Sequence, residues 1–164
     1  MNQFILEYAK QIKKKIGKQS KVLEVGSLDI NGSIRSVFKD AKTYIGIDPI
    51  AGAGVDKVMW SYDIPKVFKE GEFDCVICCE TLEHDPNFWV TVNNIRWVLK
   101  KGGWLIISTP SLGTSLHRYP QDFFRFLPDA FLLFFNGFNK VEMVEAFDKI
   151  KSKEAVNIMA YGQK

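Results

Sequence analysis

Lys21-Val22-Leu23-Glu24-Val25-Gly26-Ser27, continued by Asn31-Gly32-Ser33 and answered by Tyr44-Ile45-Gly46-Ile47-Asp48, decides the fold of this chain. A short apolar run ends at an acidic residue, turns through glycine and leads toward a helix. A second apolar run then ends in an aspartate 22 residues after Gly26. A strand, a glycine turn, a helix start and a distant carboxylate are the parts of a site for an adenosine-containing cofactor, with Asp48 placed to take ribose hydroxyls.

The flanking sequence extends this unit into a repeating strand–helix pattern. Upstream, Phe4, Ile5, Tyr8, Ala9, Ile12 and Ile16 recur at helical spacing over residues 2–16, and Gly17 ends the helix. Strand one is then Val22–Val25, a short helix runs from Ser33 to Phe38, strand two is Thr43–Ile47 and strand three lies near Val55–Met59. Phe73–Cys79 is nearly continuous in its hydrophobicity, as expected of a strand covered on both faces. Asp85 and Pro86 supply a cap and first position for a helix carrying Phe88, Trp89, Val92, Ile95, Val98 and Leu99. Lys100-Lys101-Gly102-Gly103 ends it before strand five, Trp104–Ser108.

A loop and a Phe-rich helical stretch fill 109–137, and two closely linked runs, Lys140–Glu145 and Ala155–Tyr161, form an antiparallel hairpin. The expected fold is α/β: a Rossmann-like three-layer sandwich on a mostly parallel seven-stranded sheet. The 164 residues form a single domain. Its parts are an N-terminal helix (1–18), a cofactor-binding core (21–110), an acceptor-side segment (111–137) and a terminal hairpin (138–164).

Composition narrows the classes. Apolar residues are 46% and charged residues 25%, ordinary for a globular protein, and no apolar run is long enough to span a bilayer. The first residues lack the features of a signal peptide, so a cytoplasmic location is expected. A net charge of +3 is weak for nucleic-acid binding, and Lys13-Lys14-Lys15-Lys18-Lys21 reads better as a solvated helix end that complements the helix dipole. The three cysteines, Cys75, Cys78 and Cys79, fall in one strand, where residues three apart and adjacent residues face opposite sides. That placement speaks against a zinc site and for buried small hydrophobes, and no metal is expected.

In order and spacing these motifs resemble a class I S-adenosylmethionine-dependent methyltransferase of the small generic type 11 sort. The resemblance covers Lys21 to Tyr161. It rests on Val22-Leu23-Glu24-Val25-Gly26-Ser27, on Ile47-Asp48, on Phe73-Asp74-Cys75-Val76 leading to Glu80-Thr81-Leu82-Glu83-His84, on Lys100-Lys101-Gly102-Gly103-Trp104-Leu105 and on His117–Phe126. Two features depart from the family pattern. Leu28 and Ile30 stand where the first loop usually has its second and third glycines, and Trp60 stands where an acidic residue often holds the adenine amine. The loop is lengthened instead, with Asn31-Gly32-Ser33 supplying its turn.

The resemblance implies a donor site in which Glu24 holds the amino-acid part of S-adenosylmethionine, Gly26 and Ser27 let backbone approach it, and Gly32 belongs to the turn. Asp48 takes the ribose, Trp60 stacks on adenine, Ser61 and Tyr62 offer backbone groups, and Cys79 and Glu80 lie at the sheet edge facing the ammonium or sulfonium. Methyl transfer is an in-line displacement with a neutral leaving group, so the enzyme aligns the acceptor and removes its proton. His84 and His117, the chain's two histidines, are the candidate bases, and Tyr119, Asp122 and Arg125 the candidate contacts for a small-molecule acceptor. The Phe-rich stretch reads mainly as core. Three other readings stay open: a nicotinamide-dependent oxidoreductase, disfavoured by Glu24 and the missing second dinucleotide half; a hydrolase, for which no Gly-x-Ser-x-Gly elbow exists; and a non-catalytic cofactor-binding or assembly subunit. The sequence does not indicate the oligomeric state.

Overall fold

Apolar runs of strand length alternate with amphipathic segments, and in the computed structural model they build one seven-stranded sheet of order β3-β2-β1-β4-β5-β7-β6. The structure describes residues 3–30, 32–147 and 154–164. The strands are β1 (Lys21–Val25), β2 (Thr43–Asp48), β3 (Lys57–Val58), β4 (Phe73–Cys79), β5 (Leu99–Pro110), β6 (Asn139–Phe147) and β7 (Ala155–Gln163). β1 pairs in parallel with β2 and β4, and β4 with β5, whereas β7 runs antiparallel to both β5 and β6. The helices are α1 (Gln3–Ile16), α2 (Ile64–Val67), α3 (Phe88–Val98) and α4 (Pro128–Phe134).

Strand alternation divides the core between two faces. Val22, Cys75, Ile77, Ile106 and Met159 meet Ile5, Ala9 and Ile12 of α1 together with Ile34 and Phe38. Leu23, Val25, Val76, Cys78, Leu105 and Ile107 meet Val92, Ile95 and Val98 of α3 and the rings of Phe126, Phe131, Phe134 and Phe135. The cysteines split as their spacing requires, Cys75 and Cys79 on one face and Cys78 on the other, and burial raises all three thiol pKa values. The basic cluster is partly neutralised by surface pairs: Lys13 with Asp40 at 2.9 Å, Lys15 with Glu142 at 2.5 Å and Lys21 with Glu72 at 2.6 Å.

Several local expectations change. The segment after Ser33 is a 3₁₀ turn, Ile34–Phe38, with the Ser33 hydroxyl accepting from Arg35 N. β3 is only two residues long. α3 begins at Phe88 rather than at Pro86, because the Asp85 carboxylate is engaged by Asn87 N, the Tyr62 hydroxyl and the Thr91 hydroxyl instead of capping a helix. Lys100–Gly103 lies within β5, which starts early because Leu99 already pairs with Phe73. In the stretch 109–137 α4 is the helix. The expected loop, residues 111–127, lies back over the sheet edge, held by Phe123 N to Glu83 O (2.8 Å), Ser111 Oγ to Phe126 O (2.8 Å) and Gly113 N to Ala155 O (2.9 Å). Asn2 and the expected turn residue Asn31 fall outside the described residues.

Candidate functional site

Parallel strands deliver their following loops to one edge of a sheet, and a cavity of about 940 Å³ opens at that edge here. One half is walled by the loops after β1 and β2. Val25, Gly26, Leu28 and Ile30 come from the first, and Asp48, Pro49 and Ile50 from the second, with Met59, Trp60 and Ser61 behind. Gly26 has φ +77°, and a Cβ on it would lie 2.0 Å from Thr81 Oγ1, so only glycine lets the β1 loop pack against the β4 loop. Backbone bonds join the two loops: Gly26 N and Ser27 N donate to Ile47 O at 2.9 and 3.1 Å, and Asp29 N donates to Ala53 O at 2.8 Å.

Asp48 lies in this wall, half-buried. Its oxygens accept from Leu28 N at 3.3 Å and Ile50 N at 2.9 Å. Each carboxylate oxygen has a second lone pair, so capacity for two further donors remains. Trp60 is 54% exposed and stacks on Tyr62, with centroids 5.8 Å apart and planes 3° from parallel. Behind it, Thr91 donates its single hydroxyl proton to Asp85 Oδ2 (2.5 Å), which makes Ser61 Oγ the donor in its own 2.5 Å contact with Thr91.

The other half follows β4 and β5 and is charged. Glu80, at φ +51°, accepts from Ser108 Oγ and from Asn157 Nδ2, both at 2.9 Å. Burial, followed by the neighbouring Glu83 charge, pushes its pKa up to about 8. Thr81, His84, Asp85 and Pro86 continue the wall, and Thr114 and His117–Gln121 face them from the segment after β5. Beneath them sits Glu83, with no solvent exposure and neither carboxylate oxygen hydrogen-bonded among the described residues. Its Oε1 is 3.5 Å from His84 Nε2 and 3.5 Å from His117 Nε2, and it raises the His117 pKa against the opposing effect of desolvation.

The fold that carries this cavity is found in known proteins. A family model described as "Methyltransferase domain" matches residues 1–148. The chain belongs to the class I S-adenosylmethionine-dependent methyltransferases. Among solved structures, this methyltransferase resembles the 1,6-didemethyltoxoflavin-N1-methyltransferase of Burkholderia thailandensis, crystallised with 1,6-didemethyltoxoflavin and S-adenosylhomocysteine. That match has 14% identity and TM-score 0.74, covering 97% of this chain and 77% of that one. The N-methyltransferase NodS of Bradyrhizobium japonicum shares 13% identity at TM-score 0.72, covering 98% and 94%. An S-adenosylmethionine-dependent methyltransferase of Archaeoglobus fulgidus shares 14% at 0.68, covering 97% and 94%. No curated protein matches by sequence. Among the described residues, no helix is long and apolar enough to cross a membrane.

The methyltransferase brings Gly26, Asp48, Trp60, Ser61, Glu80, His84, His117 and Tyr119 to its cavity wall. Other expected site residues lie elsewhere. Glu24 points to the α1 face with Val22, where its Oε2 accepts from the Tyr44 hydroxyl at 2.7 Å, and burial pushes its pKa up to about 7. Ser27 is buried beneath its loop, and Gly32 N donates to Asp29 Oδ1 at 2.8 Å. Tyr62 backs Trp60 and bonds Asp85, and Cys79 belongs to the core. Asp122 and Arg125 are occupied with each other, Nη1 to Oδ1 and Nη2 to Oδ2 at 2.5 Å each, which holds the Asp122 carboxyl well below the usual carboxylate range. Arg125 also donates to the carbonyls of Thr114, Ser115 and Phe124 at 3.3, 3.1 and 2.8 Å, so it clamps the segment rather than facing the cavity. None of the phenylalanines between residues 109 and 137 lines the cavity. Thr81, Glu83 and Asn157 were given no role by sequence reasoning. Glu83 had a signal, a carboxylate next to His84 just past a buried strand, whereas Asn157 in β7 had none.

Proposed function

We propose that this methyltransferase acts on a small-molecule acceptor, with donor and acceptor meeting inside the one cavity. The observation that carries the reading is the division of that cavity: its volume suits a bound ligand pair, one half is apolar and ends at Asp48, and the other holds Glu80, His84 and His117. The similarity to a Burkholderia enzyme crystallised with a small-molecule acceptor supports it.

The donor half fits S-adenosylmethionine by its own chemistry. Asp48 offers a carboxylate with lone pairs left for ribose hydroxyls, Trp60 offers an exposed ring face for adenine, and the Cβ-free turn at Gly26 lets backbone come close. Bound there, the cofactor supplies an electrophilic methyl group on a sulfonium. The protein's contribution is alignment and proton handling. The loops after β1 and β2 fix the donor side, the clamped segment 114–125 closes the acceptor side, and the His84–His117 edge receives the acceptor's reacting atom and deals with its proton.

Calorimetry with S-adenosylhomocysteine tests the donor half. Asp48→Ala is expected to weaken binding by about 1–3 kcal/mol, the range for charge-assisted hydrogen bonds, in a protein that still unfolds cooperatively. Unaltered affinity in that folded variant removes the ribose assignment. Transfer of labelled methyl to fractionated small molecules, but not to macromolecules, tests the acceptor class.

A further inference from the structure

We propose that Glu83, His84 and His117 form a divalent-cation site of the tetrahedral, zinc-binding kind, whose fourth position opens into the cavity. The donors are one carboxylate oxygen and two imidazole nitrogens, all within 4.8 Å of one another. This set is suited to borderline cations such as zinc.

The distances carry the argument. Two donors about 2.05 Å from a tetrahedral centre lie about 3.3–3.4 Å apart, whereas a hydrogen-bonded N–H and O lie about 2.9 Å apart. Glu83 Oε1 is 3.5 Å from each histidine Nε2, the edge length of a coordination tetrahedron. The proton inventory agrees. His84 Nδ1 meets the Gln121 backbone carbonyl at 2.5 Å, so Nδ1 carries a proton and leaves Nε2, which faces the carboxylate, as the nitrogen able to offer a lone pair to a cation. A cation between that nitrogen and the carboxylate would satisfy both, and a ring N–H donated to a carbonyl is the usual outer support of a metal-bound histidine.

Glu83 itself is the second observation. A fully buried carboxylate with no hydrogen bond to either oxygen among the described residues carries a large desolvation cost that a bound cation offsets. Burial below and cavity above give the site three protein donors and one open face, the pattern of catalytic rather than structural metal centres. The cation makes the two imidazoles ligands instead of free bases. An acceptor hydroxyl at the open face is polarised, its O–H bond breaks with the proton going to solvent, and its oxygen keeps the electron pair for attack on the methyl carbon. This use of the site, though not the site, rests on the methyltransferase reading.

The test titrates the metal-stripped protein with Zn²⁺ by calorimetry and with Co²⁺ by visible absorption, beside a separate S-adenosylhomocysteine titration. Saturable one-to-one binding is expected, with tetrahedral Co²⁺ bands that change when acetohydroxamate is added. His117→Ala, an exposed-loop change, and Glu83→Gln are each expected to weaken Zn²⁺ binding by more than about 100-fold, beyond the usual loss from an outer-shell partner. His117→Ala should leave S-adenosylhomocysteine affinity unaltered. No saturable Zn²⁺ binding in protein that still binds S-adenosylhomocysteine overturns the site and leaves a charged His117 paired with Glu83. Binding indifferent to His117→Ala, or a sulfur-to-cobalt charge-transfer band from the cysteines, overturns it equally. Co²⁺ bands insensitive to acetohydroxamate overturn the open face. Loss of S-adenosylhomocysteine binding with Zn²⁺ binding intact sinks the donor reading alone.

Discussion

The two halves of the cavity are held together by different means. In the apolar half, the loops after β1 and β2 are joined through backbone groups, Gly26 N and Ser27 N to Ile47 O and Asp29 N to Ala53 O, with glycine where a Cβ has no room. In the charged half, polar and charged side chains meet: Glu80 with Asn157 and Glu83 with His117 come from distant parts of the chain, and Asp122 pairs with Arg125 within one loop. Backbone pairing tolerates many side chains but no intrusion. Side-chain clusters tolerate some crowding but not the loss of a partner.

The sharpest way to break this comparison is Gly26→Ala. The added methyl meets Thr81 Oγ1 at 2.0 Å on a backbone at φ +77°, so overpacking and left-handed strain should together cost about 2–5 kcal/mol. Thermal unfolding and S-adenosylhomocysteine affinity should both fall. Adding Thr81→Gly should recover the clash and leave the strain, and an undisturbed single variant would mean the donor loop is not tightly packed.

Next in size is Asp122→Asn. It leaves Arg125 without its carboxylate partner and should cost roughly 2–4 kcal/mol, reduced from the fully buried case because Arg125 keeps some exposure. Donor affinity should hold while acceptor turnover falls, since the loss is confined to the segment 114–125. Equal losses on both sides would erase the distinction between the halves.

The smallest effect is a pH dependence beneath the donor half. Glu24 holds its proton up to about pH 7 in the folded chain against 4.5 ordinarily, so the folded state binds more protons between those values. Stability should therefore fall as pH rises from about 5 to 8, and Glu24→Gln, which keeps an acceptor for Tyr44, should remove a share on the order of 1–3 kcal/mol. Urea unfolding at pH 5 and pH 8 measures it. A variant with the same slope as the parent would show that Glu24 is not the group responsible. Glu80, also raised, contributes a slope of the same sign.

What was legible in the sequence follows the same division. β1, β4 and the closing hairpin announce themselves through runs of neighbouring apolar residues, and Asp48 through its distance from Gly26. Those signals are local, and local pairing realises them. The family resemblance gives Glu24 to the cofactor, and strand alternation turns its side chain to the α1 face with Val22 and Tyr44. Arg125 looked like an anion receptor, and its guanidinium is consumed by Asp122 and three carbonyls. The acceptor half depends on pairs such as His84 with His117 and Glu80 with Asn157, which only the folded topology brings together.

β7 lies between β5 and β6, and it supplies Asn157 to Glu80 and the Val156 carbonyl to Ser111 N. The strand that follows all the other described strands along the chain is therefore an inner strand of the sheet, beside the charged half of the cavity. A nascent chain still lacking residues 155–163 already holds Gly26, Asp48 and Trp60 but not Asn157 or the Val156 carbonyl, so the apolar wall of the cavity is complete before the charged one during synthesis.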